Sequence, residues 1–413
     1  MPEKLSRLGE INVPLAIAWM AVAVLGVQAV FPPLRAFVNS YVLTIAMYAV
    51  AFVAILALYK ADQITVDLVL VSSLFALVFI AFSTMLTGNT VLFNRYFNLI
   101  CLIAGYPLFR LVVERLDKKG KYALAIVIIG FATLTCIRTC TALVQNPYIA
   151  RSIKSEGEYT AGLLSMGIGG YEIVYFAVIC STIMLWDALN ATNRMRKVIS
   201  FLLFAIMVCL ILYANYMTAL IAALIGAAIV LLMKIGKASP AAAVSAAVMT
   251  TIVLAVLIAA QDQLLQVITN MSGDGRVSRV LNSSDSLLTG ITDEFLSDRA
   301  PVMQKSINEF GLHLFIGLNG MTSSIGASGA IASAGQHSFV LDTLAYFGLI
   351  GGPIILLAVF MPFWSMGKHG VDRRLTTPLL VVFVILLIFN NATSSIAIAA
   401  LLLPLLLSGV EDE

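Results

Sequence analysis

Charge is scarce in this chain, and histidine and cysteine are scarcer still. Only 11% of its 413 residues are Asp, Glu, Lys or Arg, whereas 60% are hydrophobic, more apolar side chain than a water-soluble fold can hide. The net charge of +3 lies in short basic clusters between apolar runs, which excludes the broad basic surface that nucleic acid requires. Three histidines (His313, His337 and His369), with no Cys or His pair at ligand spacing, argue against a zinc centre, and no metal or other cofactor is expected. Cys101, Cys136, Cys140, Cys180 and Cys209 all fall inside apolar runs, so no disulfide framework is implied, and the i, i+4 pair Cys136 and Cys140 reads as packing. No Gly-x-x-x-x-Gly-Lys-Ser/Thr stretch exists to cradle nucleotide phosphates, so ATP hydrolysis has no visible machinery. Internal repeats and a separate soluble domain are also missing. Residues 1–12 run into an apolar stretch without a small-residue cleavage pattern and read as the approach to a first span.

Apolar runs fill the rest. Stretches able, or nearly able, to cross about 30 Å of hydrocarbon lie near 13–30, 39–59, 66–86, 97–113, 122–146, 168–187, 198–213, 216–234, 241–260, 339–363, 376–389 and 393–408. Asn215 and the pair Asn390 and Asn391 interrupt two otherwise continuous runs. The expectation is an all-α integral membrane protein of about twelve transmembrane helices. Residues 1–260 form an N-terminal bundle of about nine helices, 261–338 one large loop, and 339–413 the C-terminal helices.

Lysine and arginine set the orientation, because short basic loops stay on the cytoplasmic side. With the N-terminus inside, inner segments hold fifteen basic residues and outer segments eight, four of which (Arg276, Arg279, Arg299 and Lys305) belong to the one long loop. That loop therefore faces outward. Arg95 and Arg151 lie in two further outward segments. Arg138 is sixteen residues beyond Tyr122 in an outgoing span, about 24 Å up, where an arginine is either functional or snorkels to the headgroups. Asp342 and Glu172 lie close to outer ends of their spans.

The chain is organised around Gly335 to Pro353, GQHSFVLDTLAYFGLIGGP. From His337, residues Leu341, Leu344, Gly348 and Gly351 recur at steps of four, three, four and three, which predicts one shared helical face with small residues at its lower end. An imidazole at the mouth of that helix is the side chain most easily poised near neutral pH. Within the loop, Ser297 or Asp298 can cap a helix over 299–310, placing Arg299 in a first turn that favours an anion. After LHLFIGLNG comes a Gly/Ser/Ala-rich run from Met321 to Gly335, read as a lid or as a plain flexible connector.

These stretches resemble the superfamily of bacterial O-antigen ligases and O-antigen or capsular polysaccharide polymerases. The likeness rests on many spans with one large late loop, on the loop ending in His337 followed by the leucine and glycine pattern, and on the arginine-led DRAPVMQKSINEF followed by LFIGLNG. GIGGYEIVY, from Gly167 to Tyr175, is similar to glycine and tyrosine runs of many such polymerases. The motif-bearing region runs from Gly275 to Pro353. Ser338 stands where the ligases commonly carry asparagine.

The resemblance implies a GT-C-like glycosyltransferase of the bacterial inner membrane, acting at the periplasmic face without a metal. Its donor and acceptor would be undecaprenyl diphosphate-linked oligosaccharides, and a chain-length regulator is an implied partner. In that reading His337 is the general base, and Arg299, Arg276, Arg279, Arg138, Arg95 and Arg151 are the candidates for gripping the diphosphate. Guanidinium forks suit that task when no metal neutralises the leaving group. A polymerase joining repeat units leads, with a ligase moving finished glycan onto lipid A core or protein, and a transporter or flippase, as the alternatives.

Overall fold

The computed structural model of the chain describes residues 13–37, 40–58, 68–87, 96, 99–100, 103–146, 149–153, 158–214, 216–235, 300–318, 338–368, 371–391 and 393–407. Among them there is helix and no strand. In chain order the helices are α1 Val13–Val30, α2 Pro32–Phe37, α3 Ser40–Leu58, α4 Leu68–Thr87, α5 Tyr106–Arg115, α6 Lys118–Gln145, α7 Ile149–Ser152 and α8 Glu158–Ser165. They continue with α9 Tyr171–Asn190, α10 Arg194–Ala214, α11 Met217–Ile235, α12 Ala300–Leu312, α13 Phe339–Met366, α14 Arg373–Phe389 and α15 Ser394–Leu407.

The protein is a multi-pass α-helical membrane protein. Six described helices, α1, α4, α6, α9, α10 and α13, are long and apolar enough to cross a bilayer, and shorter apolar helices lie at Val42–Leu58, Thr218–Lys234 and Ser394–Leu407. The Asn215 and Asn390 interruptions fall where expected, between α10 and α11 and between α14 and α15. The stretch expected as a span at 97–113 departs from a single helix. Its helix restarts at Tyr106, just after Gly105, over which Tyr48 packs, and Pro107 sits in the first turn, where a missing N–H costs nothing. The expected span at 241–260 lies outside the described residues.

Helices apolar all round must be enclosed by protein or lipid. Two of them form the core: α9, packed by α6, α10, α11, α14 and α15, and α15, buried from Ser395 to Leu406. Their ends are tied by polar contacts of two kinds. At one end Arg196 grips Asp187 through two hydrogen bonds, Nε to Oδ2 at 3.1 Å and Nη2 to Oδ1 at 2.5 Å, while Ser200 donates to the same carboxylate at 2.6 Å. Arg196 Nη1 also reaches Tyr122 Oη at 3.1 Å, joining α6, α9 and α10. Lys234, donating to Asn190 at 2.9 Å, and Lys368, 3.5 Å over the Trp364 ring, belong to this basic end. At the opposite end the first turns of α9 and α13 and the last turn of α14 meet: Tyr175 Oη donates to Asn390 Oδ1, and Phe339 N donates to the Asn390 carbonyl at 3.0 Å.

Helix α13 is not one helix. Gly348 has φ 62° and ψ −163°, a conformation open essentially to glycine alone, and Pro353 removes the amide that would have bonded the Leu349 carbonyl. Leu341 and Leu344 therefore do not share one continuous face with Gly351, because the helix breaks at Gly348, while His337 lies outside the described residues. The amides freed at the break are not left open. Leu349 N donates to the Leu314 carbonyl at 2.8 Å and Ile350 N to that of Phe315 at 3.1 Å. Gly317, at φ 71°, lies so near the Tyr346 carbonyl, and Gly348 so near that of Phe315, that a Cβ on either would collide with backbone.

Alanine at Gly348 or Gly317 should therefore destabilise the fold by about 1–3 kcal/mol through backbone strain alone. Gly130 lies in helix α6 with open space around its Cβ direction, so alanine there should be neutral or stabilising by up to about 1 kcal/mol. Heating the detergent-solubilised protein and following the folded peak by size exclusion checks this. Equal survival of all three variants would remove the strained glycine junction from the account.

Candidate functional site at the non-basic end of the bundle

Helix α12 runs parallel to the upper half of α13. Ser306 Oγ donates to Asp342 Oδ1 at 2.7 Å, with Ser306 and Asp342 both buried, and about two turns further on the 314–315 carbonyls meet the amides of 349–350. Asp342 sits in the first turn of α13, where the helix dipole favours a carboxylate. Ser338 caps that turn through Leu341 N at 3.1 Å.

A second attachment comes from Tyr96, which is fully buried. Its hydroxyl pairs with Thr343 Oγ1 at 3.0 Å, and its ring packs against Phe339 at 5.3 Å and edge-on against Phe347 at 5.1 Å. Phe347 in turn meets Phe79 of α4, whose ring also fills the space beside Gly351. The small residue at 351 thus permits close approach of a neighbouring helix, as its place in the pattern suggests.

A third group lies at the start of α9, in the GIGGYEIVY run. Thr139 Oγ1 of α6 accepts from Gly169 N at 2.9 Å, and Tyr171 stacks on Tyr216 at 4.3 Å and 13°. Through Tyr175, Asn390 and Phe339 this group is continuous with the start of α13. Arg138 belongs here. Its Nη1 donates to the Met166 carbonyl at 3.2 Å and lies over Gly167, which has φ 81° and leaves the room a Cβ would take. The guanidinium therefore satisfies the Met166 carbonyl past the end of α8, a favourable place for a cation, and its site is the α6–α9 junction rather than the α12–α13 unit.

The remaining sequence candidates divide as follows. Arg151 is carried by α7, which packs on α6, and its side chain is outside the described set, as are His337, Arg299, Arg276, Arg279 and Arg95 and the Met321 to Gly335 run. The residues directly after three of them are described. Tyr96 follows Arg95, α12 follows Arg299, Ser338 follows His337, and all three bear on the first two turns of α13. Among the described residues no three His, Cys, Asp or Glu side chains gather as a metal site would require, and Cys136, Cys140, Cys180 and Cys209 are free thiols.

Comparison of the chain with protein-family models, curated proteins and solved structures finds no match. The Ser306–Asp342 pair escaped sequence reasoning, as did, away from the site, the buried Arg110 of α5, whose Nε lies 3.5 Å from Glu114 Oε1. Asp342 and Arg110 each carried a signal, since an ionisable residue within an apolar run is costly unless something pairs with it.

Ser306→Ala should cost about 1–3 kcal/mol by stripping a donor from a buried carboxylate. Gln304→Ala, at an exposed position bonded only to Asn308, should stay within about 0.5 kcal/mol of the parent. The readout is the temperature at which a thiol-reactive dye first labels the buried Cys136 and Cys180. No difference between the two variants would deny the pair a role in holding α12 to α13.

Proposed function

We propose that the chain is a membrane glycosyltransferase that joins undecaprenyl diphosphate-linked oligosaccharide repeat units into an O-antigen or capsular polysaccharide, at the periplasmic face of a bacterial inner membrane. One observation supports this reading above the rest. Tyr96, α12 and Ser338, which directly follow Arg95, Arg299 and His337 in sequence, all attach to the first two turns of α13, so the two stretches that carry the resemblance fold as a single unit.

The chemistry asked of that unit is simple. An acceptor sugar hydroxyl attacks the anomeric carbon of the donor, its oxygen forms the new glycosidic bond, and its proton passes to the His337 imidazole. The bond from the anomeric carbon to the diphosphate breaks, and the electron pair leaves with the phosphate oxygen. Arginine forks from Arg299 and Arg95, with Arg276 and Arg279 in reserve, stabilise that developing charge. Arg138, already engaged with the Met166 carbonyl, and Arg151 are weaker candidates. A ligase would use the same donor chemistry on a different acceptor.

The broken helix α13 favours a second reading, a transporter, since discontinuous helices build the substrate sites of many carriers. In this chain, however, the amides freed at the break are bonded to Leu314 and Phe315 and are not available to a substrate. The glycosyltransferase reading therefore leads.

Membranes containing the protein, supplied with lipid diphosphate-linked repeat units, should form polymer. His337→Ala should reduce it by on the order of 10²- to 10⁴-fold, the usual cost of removing a general base. Arg299→Lys should lose both donor binding and turnover, because an ammonium keeps the charge but not the bidentate fork. Polymer formation by His337→Ala at the parent rate would contradict the base assignment, and no polymer from the parent protein would contradict the polymerase reading.

A further inference from the structure

The stretch from Gln261 to Ser338 reads in sequence as a loop outside the membrane. The position of α12 against α13 argues otherwise for part of it. Trp364, with Lys368 over its ring, marks the inner interface, where aromatic and basic side chains collect. Counting back about 20 residues, the number that crosses the hydrocarbon, reaches Leu344. Gly348 then lies about 6 Å inside the outer boundary, and the carbonyls of Leu314 and Phe315 are bonded at that level.

The exposure pattern along α12 changes where it should. Over its first nine residues the exposed side chains are mostly polar, Gln304, Lys305 and Asn308, with Pro301 and Ile307 (45%) the apolar ones. At its foot they are large and apolar, with Leu312 74%, Phe315 65% and Ile316 57% exposed. His313, between them, is turned inward, its Nε2 3.8 Å from Glu309 Oε2, with only 19% of the side chain exposed. Polar groups tucked in and apolar groups turned out is the reverse of a helix facing water. The apolar foot also continues the outward face of α13 below the break, where Leu349 and Ile350 are exposed. Irregular backbone at such a depth is tolerated only when its polar groups are met by protein. Here Gly317 N bonds the His313 carbonyl, and the 314 and 315 carbonyls bond the amides of the break.

We propose that residues 300–318 are a re-entrant element whose foot, Leu312 to Ile316, is immersed in the acyl chains of the outer leaflet. The element descends beside α13, closes the break in that helix, and presents its apolar side to lipid. This does not rest on the glycosyltransferase reading, and loss of either leaves the other standing.

The test uses the wild-type protein reconstituted in phosphatidylcholine vesicles containing a phospholipid with a diazirine on its acyl chain. After illumination, mass spectrometry should find lipid adducts within 312–316. In a second arm, an impermeant maleimide applied to intact outward-facing membranes should label Gln304→Cys, with labelling lost for Phe315→Cys until detergent is added. Absence of acyl-chain adducts on 312–316, or equal maleimide labelling of the two positions, would overturn the proposal.

Discussion

The upper half of this protein depends on one junction, the docking of α12 along the first three turns of α13. A buried carboxylate, Asp342, holds α12 through Ser306, and a broken helix holds the turn after it through two backbone hydrogen bonds. The second contact is enforced, since an unbonded amide inside a bilayer costs several kcal/mol and Leu349 and Ile350 have lost their partners within the helix. The chain that supplies the carbonyls cannot leave without exposing those amides. Gly317 and Gly348 are what let the two backbones come so close.

The rest of the bundle follows a division of labour between its ends. The basic end is closed by ionic and aromatic clasps, Arg196 with Asp187 and Lys368 with Trp364, which fix α6, α9 and α10 and the foot of α13. Among the described residues the opposite end is joined by hydroxyls, amides and carbonyls: Thr139 to Gly169, Tyr175 to Asn390, Tyr96 to Thr343. Such a network links α6, α9, α13 and α14 without spending fixed charge.

Much of this was legible in the sequence. The described long apolar helices follow from hydropathy, and Asn390 falls just past the end of α14, where its Oδ1 accepts from Tyr175 Oη. The start of α13 and the helix after Arg299 were readable too. What was not readable has physical reasons. The regular steps from His337 to Gly351 suggested one continuous face, whereas Gly348 followed by Pro353 five residues later was a signal for a break. Ser306 has no sequence pattern, because its partner is thirty-six residues away and the pairing is a matter of register between two helices. The association of Arg138 with Met166 was hidden for the same reason, while its position high in α6 followed from simple counting.

A cross-link between α12 and α13 tests the central junction most directly. Ser306→Cys and Asp342→Cys can be combined with a protease site inserted in the 321–335 run, so that cutting separates the chain into two pieces joined only through that pair. After mild oxidation and cleavage in the membrane, the account predicts one full-length band on a non-reducing gel that splits on reduction. Two separate fragments without reductant, at a pairing efficiency no higher than that of Gln304→Cys with Asp342→Cys, would contradict it.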